Sequence, residues 1–282
     1  MVFLEILQES TKRLYESGIA NAGLEAEFIV SHCLGVDRAV LYRDNPLVPE
    51  KAMVRIQEFL NRRAQREPLQ YILGYADFFG LKIRVGPGVL IPRPETELLA
   101  EESIKIISKF EIRNSKLTIL DLCTGSGCIA LALAKEFPEA QVYGTDTSEV
   151  ALRYARENAG INNIGNVTFL RGSLYDPVNA LRFDLITANP PYIKSEDIAI
   201  LQPEVKDWEP REALEGGDDG LDYYRMIVPP AKGHLQSGGH IVLELGMDEA
   251  VGVGRIAEAE GFKDIVVKKD YAGIERIFIA GI

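Results

Sequence analysis

The chain has 282 residues, 46% of them hydrophobic and 26% charged, enough for one large domain or a medium domain plus a small one. Its formal net charge of -11 argues against a partner gripped through phosphates, which calls for a basic face, and favours a small molecule or a protein. Cys33, Cys123 and Cys128 fit neither a disulfide framework nor paired Cys-x-x-Cys units for zinc, so no metal site is expected.

The run Met1-Val2-Phe3-Leu4-Glu5 lacks a basic region followed by a long apolar stretch, and residues 117–122 are too few to span a bilayer. A cytoplasmic protein with reduced thiols and no membrane partner is expected. Up to about residue 75, apolar residues recur at helical spacing: Phe3, Leu7 and Leu14, then Leu24, Phe28 and Ile29, then Met53, Ile56 and Leu60. Gly18, Gly23, Gly35, Pro46 and Pro49 punctuate them. This predicts a small helical bundle over residues 1–76. The cluster Arg62, Arg63 and Arg66 reads as a solvated helix end, with a docking surface for an acidic partner as the alternative.

Residues 77–92 read as a β-hairpin linker. Phe79, Leu81, Ile83 and Val85 alternate with Gly80, Lys82 and Arg84, Gly86-Pro87-Gly88 marks a turn, and Val89-Leu90-Ile91 reads as a second strand. Pro92 and Pro94 then open a helix, with Pro94 at its first position and Glu95 and Glu97 at the positive end of the helix dipole. From about residue 117 the chain alternates: strands at 117–123, 141–146, 166–171, 183–189, 239–245, 262–268 and 275–279, helices at 127–137, 148–159, 221–235 and 248–260. The fold class is α/β, a Rossmann-like, mainly parallel seven-stranded sheet with helices on both faces. Only residues 270–274 join the last two strands, which therefore pair antiparallel at the edge.

The run Asp121-Leu122-Cys123-Thr124-Gly125-Ser126-Gly127-Cys128 follows a strand and opens a helix. Gly125 and Gly127 allow a tight turn and close approach of a ligand, so residues 123–127 are candidate cofactor-binding residues. Asp146 ends the next strand, where a carboxylate can accept both ribose hydroxyls of a nucleoside. NAD and S-adenosylmethionine both suit this architecture. Asp121 favours the latter, because a carboxylate repels a pyrophosphate and attracts an amino group and a sulfonium.

The strand at 183–189 runs into Asn189-Pro190-Pro191-Tyr192. Ligands gather at the carboxyl ends of central strands, so this tetrapeptide should face residues 123–127. Two prolines stiffen the backbone and remove two amide donors. The acceptors that remain, the Asn189 side-chain oxygen and the Pro190 carbonyl, suit an –NH2 group, and Tyr192 offers a flat face for a planar substrate. Such a nitrogen is a poor nucleophile, and two hydrogen bonds would aim its lone pair at a methyl donor by orientation and preorganisation rather than by base catalysis.

Asn-Pro-Pro-Tyr resembles the motif shared by adenine-N6 DNA methyltransferases and glutamine-N5 methyltransferases. The rest of the chain resembles the release-factor glutamine methyltransferases, the HemK family: Gln70-Tyr71-Ile72-Leu73-Gly74, Phe79-Gly80-Leu81, Leu90-Ile91-Pro92-Arg93-Pro94-Glu95-Thr96-Glu97, residues 121–133 and Glu215-Gly216-Gly217-Asp218-Asp219-Gly220-Leu221. The resemblance implies a helical bundle, a hairpin linker and a class I methyltransferase domain over residues 93–282. It implies methyl transfer from S-adenosylmethionine, with S-adenosylhomocysteine as product, to the glutamine of the Gly-Gly-Gln motif of bacterial class 1 peptide release factors. Asn189, Pro190, Pro191 and Tyr192 would hold that glutamine, and Cys123, Thr124, Gly125, Ser126, Gly127, Asp146, Leu174 and Asn189 the cofactor. The family often has glycine where Cys123 stands. Leu174 lies where relatives carry a residue near the adenine, with core packing as the alternative. Arg93, Glu95 and Thr96 read equally as pocket lining or as a charged helix start, and Trp208 as part of a partner surface or of a solvated loop. A ribosomal-protein glutamine and DNA adenine are alternative substrates. A DNA enzyme must flip its base and grip phosphates, for which this acidic chain has no basic recognition domain. A non-catalytic, nucleotide-sensing protein is the alternative of another class.

Overall fold

The computed structural model describes residues 1–109 and 116–282. Its contacts divide the chain into two units, Met1–Tyr75 with Gln202–Trp208, and Ala76–Leu201 with Glu209–Ile282. In the first unit the amphipathic spacing becomes α1 (Phe3–Glu16), α2 (Ala22–Leu34), α3 (Arg38–Asp44), α4 (Glu50–Ala64) and α5 (Leu69–Leu73). Phe3, Ile6 and Leu14 of α1 meet Ala26, Ile29 and Val30 of α2, Leu41 of α3 and Ile56 and Leu60 of α4 in one core. Asp37 caps α3 by accepting the Ala39 N–H at 2.8 Å.

The arginines that end α4 form neither a solvated helix end nor a free docking surface. Arg63 is 4% exposed. It donates to Glu25 and, at 2.9 Å, to Glu204. Arg66 Nη2 donates to the other Glu204 oxygen at 2.7 Å, and Arg62 forks onto Glu67. The chain supplies the acids that these cations need, one of them from a segment remote in sequence. Arg63→Ala would leave half-buried Glu25 without its cation and half-buried Glu204 with Arg66 alone. The expected cost is about 1–3 kcal/mol, measured by urea unfolding; a variant as stable as the parent would show that Arg63 contributes nothing to the cluster.

The second unit opens on β1 (Tyr75–Phe78) and β2 (Leu81–Arg84), a two-stranded sheet. The expected hairpin is thus displaced. Its turn is Phe79-Gly80, both at positive φ (48° and 68°), the backbone that a two-residue hairpin loop requires. Gly86-Pro87-Gly88 is not a hairpin turn and Val89-Leu90-Ile91 is not a strand. A Cβ at Gly86 or Gly88 would strike Tyr154 or Val150, so this stretch lies pressed on α8 (Glu149–Ile161), while Val85, Val89 and Ile91 bury their side chains. The helix after Pro94 begins two residues late, as α6 (Thr96–Ile107), after turns in which the Arg93 carbonyl accepts the Thr96 N–H and the Pro94 carbonyl the Glu97 N–H, both at 3.1 Å.

Beyond it follow β3 (Thr118–Leu122), α7 (Cys128–Glu136), β4 (Gln141–Asp146), α8, β5 (Val167–Arg171), β6 (Phe183–Ala188), α9 (Pro203–Lys206), α10 (Asp222–His234), β7 (Leu235–Glu244), α11 (Ala250–Ala259), β8 (Lys263–Lys269) and β9 (Glu275–Gly281). Among the described residues the large sheet has seven strands in the order β5-β4-β3-β6-β7-β9-β8. The first five of that order run parallel, and β9 is antiparallel to both of its neighbours. The last two strands do pair antiparallel, but β9 inserts between β7 and β8. Burial explains this: Ile277, Phe278, Ile279 and Ala280 of β9 are all buried, whereas β8 carries exposed Lys263, Lys268 and Lys269 and serves as a charged edge.

Strand order reverses between β3 and β6. Right-handed crossovers therefore send α7 and α8 to one face and α10 and α11 to the other. Leu120, Ile186, Ile241 and Phe278 pack with Tyr224, Ile227 and Val253 in the core under the second face. The crevice that such a reversal opens lies beyond the carboxyl ends of β3 and β6. No helix among the described residues is long and apolar enough to cross a membrane.

Candidate active site

The loop between β3 and α7 turns on three positive φ angles, 53° at Cys123, 55° at Gly125 and 80° at Gly127. Gly127 cannot be replaced cheaply, since a Cβ there would stand 2.9 Å from Phe169 and 3.0 Å from Ala155. Cys123 accepts the left-handed conformation at a cost on the order of 1–2 kcal/mol, which accounts for glycine being the natural residue at such a point. The Thr124 N–H donates to the Thr145 carbonyl at 3.0 Å, tying the loop to β4. Asn158 of α8 ties it from the other side, donating to the Ser126 carbonyl at 3.0 Å while it exchanges hydrogen bonds with Arg84 of β2.

Asp146 ends β4 beside this loop. Its two oxygens accept the N–H groups of Gly125 (2.9 Å) and Ser148 (2.8 Å), and a carboxylate can accept more than these two. Burial raises its pKa, and those N–H donors oppose the shift. Asp121 lies deeper, fully buried, with its oxygens taken by Thr124 (2.5 Å) and Thr187 (2.9 Å). Burial pushes it up to about 7, against the pull of those two hydroxyls. Its place is beneath the loop, which it ties to β6 through the hydroxyls of Thr124 and Thr187.

Loop and strand ends enclose a cavity of about 510 Å³. Cys123, Thr124, Gly125, Ser126 and Asp146 line one part, with Leu174, whose carbonyl accepts the Thr145 hydroxyl at 2.9 Å. Asn189 and Pro191 line another. Gly127, Pro190 and Tyr192 adjoin these residues in sequence and do not line it. Burial raises the Cys123 and Cys128 thiols well above their ordinary value. A carboxylate with spare lone pairs, a glycine-walled loop and apolar Leu174, Val89 and Ile129 together fit a nucleoside with a charged tail.

The tetrapeptide is held from beneath by the loop after it. A Cβ at Gly216 would meet the Tyr192 Cα at 2.6 Å and the Pro191 carbonyl at 2.8 Å, so two backbones touch there. Asn189 Nδ2 donates to the Thr96 hydroxyl at 3.2 Å, which leaves its oxygen as the acceptor for a ligand. Tyr192 packs partly buried against the core, its hydroxyl donating to Glu244 at 3.2 Å. Glu244 is 1% exposed, and burial pushes it up to about 6, against the Thr96 hydroxyl, the charge of Arg276 and the Tyr192 hydroxyl.

Residues 5–74 match the family model described as PrmC N-terminal domain, and residues 102–204 match the one described as Methyltransferase small domain. A release factor glutamine methyltransferase of Thermodesulfovibrio yellowstonii is 49% identical over 90% of this chain and 91% of its own. The chain belongs to the release factor glutamine methyltransferase family. A member from Geobacter sulfurreducens is 45% identical over 97% of this chain and 94% of its own. A methyltransferase from Pyrococcus furiosus superposes with a TM-score of 0.53 at 23% identity, covering 72% of this chain and 89% of that one, which shows a shared fold.

The structure shows what the motifs of this family member do. In Pro-Arg-Pro-Glu-Thr-Glu, Arg93 pairs with buried Glu209 at 2.5 Å, Thr96 holds Asn189, and Glu97 accepts the Phe79 N–H of the hairpin turn at 2.7 Å. Arg93 and Thr96 line the cavity; Glu95 does not. Trp208 groups with the helical unit. Sequence reasoning missed Tyr223 and Met226, which line the cavity from α10, and Glu244. Only Glu244 carried a signal: an acid near the end of the apolar run Ile241-Val242-Leu243-Glu244-Leu245, at the end of the strand where ligands gather.

Proposed function

We propose that this protein transfers a methyl group from S-adenosylmethionine to the side-chain nitrogen, N5, of the glutamine in the Gly-Gly-Gln motif of bacterial class 1 peptide release factors, in the cytoplasm. The observation that carries the reading is the cavity itself, in which Asn189 faces the same space as residues 123–126 with its amide nitrogen already committed to Thr96. The name shared by these relatives supports a release factor as substrate over a ribosomal protein or DNA adenine.

When bound, S-adenosylmethionine supplies an electrophilic methyl group on a cationic sulfur, and S-adenosylhomocysteine is its product. Asp146 accepts the ribose hydroxyls, and Gly125 and Gly127 shape the loop that admits the amino acid tail. The Asn189 oxygen and the Pro190 carbonyl each accept one hydrogen of the glutamine –NH2, which turns the nitrogen lone pair toward the methyl donor. Tyr192 supplies the flat face beside the side chain, and the apolar walls favour a reaction that disperses positive charge. No general base is required before transfer, because the methylated amide is acidic enough to release its proton to water. The two glycines of the substrate motif let its backbone enter a narrow slot.

Residues 1–76 are assigned to recognition of the body of the release factor, and residues 93–282 to the chemistry. In support, none of the cavity-lining residues belongs to the helical unit. Mass spectrometry of a release factor after incubation with this protein and S-adenosylmethionine should show one added methyl group on the motif glutamine. A Gly-Gly-Glu release factor, nearly isosteric but without –NH2, should gain none. Methylation of that variant at the parent rate would place the acceptor atom elsewhere and overturn the reading.

A further inference from the structure

The cavity is lined by the acids Asp146 and Glu212 and by one cation, Arg93; no other lysine, arginine or histidine lines it among the described residues. Arg93 is placed by its neighbours. Its Nη2 donates to Glu209, whose side chain is 1% exposed and whose other oxygen accepts the Ile91 N–H at 3.0 Å. One buried carboxylate thus grips both ends of the segment 91–93 and holds the guanidinium at the cavity wall, where the Arg93 side chain stays 32% exposed. A guanidinium carries five N–H groups in a rigid fork. Among the described residues only Glu209 accepts from this one, so most of the fork is left for a ligand.

The Arg93 carbonyl accepts the Thr96 N–H at 3.1 Å, and the Thr96 hydroxyl accepts from Asn189. Arg93 therefore belongs to the Asn189 part of the cavity, whereas the ribose acceptor Asp146 ends β4. In S-adenosylmethionine the sulfur separates the nucleoside from the amino acid tail. A nucleoside anchored at Asp146 with its methyl group at Asn189 sends the tail beyond that point. The tail ends in a carboxylate, the one anionic group of the molecule. A carboxylate taken from water into a cavity that already holds Asp146 and Glu212 needs a cation. The fork of Arg93 matches it in charge and in shape.

We propose that Arg93 binds the carboxylate that ends the amino acid tail of the cofactor. The proposal rests on the reading of this cavity as the S-adenosylmethionine site. Decarboxylated S-adenosylmethionine keeps the nucleoside, the sulfonium and the amine and lacks only that group; 5′-methylthioadenosine lacks the tail. In calorimetry on the full chain, the parent should bind S-adenosylmethionine more tightly than the decarboxylated form. Arg93→Gln should shrink that preference by about 10-fold or more, the effect of losing a hydrogen bond between charged groups. Comparing preferences cancels the general attraction of an acidic protein for the more cationic ligand. Affinity for 5′-methylthioadenosine should stay within about 2-fold of the parent, which a merely structural loss of the Glu209 contact would not allow. Arg93→Lys, which keeps the charge without the fork, should recover part of the preference. A preference unchanged in Arg93→Gln, or an equal loss of affinity for all the ligands, would overturn the proposal; an unchanged preference beside a raised KM for the release factor would give Arg93 to the substrate instead. A parent that binds none of these ligands would sink the reading of the site itself, whereas a parent that binds S-adenosylmethionine no better than its decarboxylated form sinks only the role of Arg93.

Discussion

Asn189→Ala is expected to lower turnover by on the order of 10²–10³, the effect typical of removing one preorganised hydrogen-bonding group from a reacting centre. The proposed contact is made to the nucleophile, so it counts at the moment when the lone pair must point at the methyl donor. The proposed site gives cofactor affinity chiefly to the loop and to Asp146, so calorimetry should find it within about 3-fold of the parent. Alanine also frees the Thr96 hydroxyl, whose partner was Asn189 Nδ2. Asn189→Asp keeps an acceptor toward the substrate, and some turnover should survive in it. Matching losses in turnover and cofactor affinity would instead make Asn189 a cofactor ligand first, and a fully active alanine variant would remove it from the site altogether.

Asp146→Ala is expected to weaken S-adenosylmethionine binding by about 100-fold. A hydrogen bond to a charged acceptor contributes roughly 1.5–3 kcal/mol, so two ribose hydroxyls at the lower value give about 3 kcal/mol. The same carboxylate also accepts the Gly125 and Ser148 N–H groups, so its loss loosens the glycine loop as well. Asp146→Asn separates these effects. The amide keeps one acceptor oxygen but sets an –NH2 where a backbone N–H now donates, and it should bind nearly as poorly as alanine. Calorimetry on folded variants decides the matter, and an unchanged affinity in Asp146→Ala would remove the ribose assignment.

Much of the α/β architecture is legible in the residues because its signals are local. The period of apolar residues sets helix against strand, and β4 runs over the same residues, 141–146, that its alternation and flanking turns mark. Gly125, Gly127 and Asp146 could be recognised because a backbone turn and a strand-end carboxylate are properties of a few consecutive residues at fixed spacing. Asn189 could be placed at the site because it directly follows a central strand, and strand ends are where such sheets bind.

Other features depended on partners distant in sequence. Arg63 looks solvated in α4 until Glu204, 141 residues away, supplies an acid. Gly86-Pro87-Gly88 does turn, the Gly86 carbonyl accepting the Val89 N–H at 3.3 Å, but it lies against Tyr154 and Val150 with no strand after it, and Phe79 and Gly80 take the hairpin turn. The final strand belongs inside the sheet because its apolar residues need cover on both faces, which only the completed sheet provides. Thr96 and Asn189 meet only when the start of α6 comes to the end of β6. Local composition determined the elements and the two motifs; the direction in which Asn189 presents its amide was decided by tertiary structure, because a hydrogen bond takes its direction from the partner that the fold brings to it.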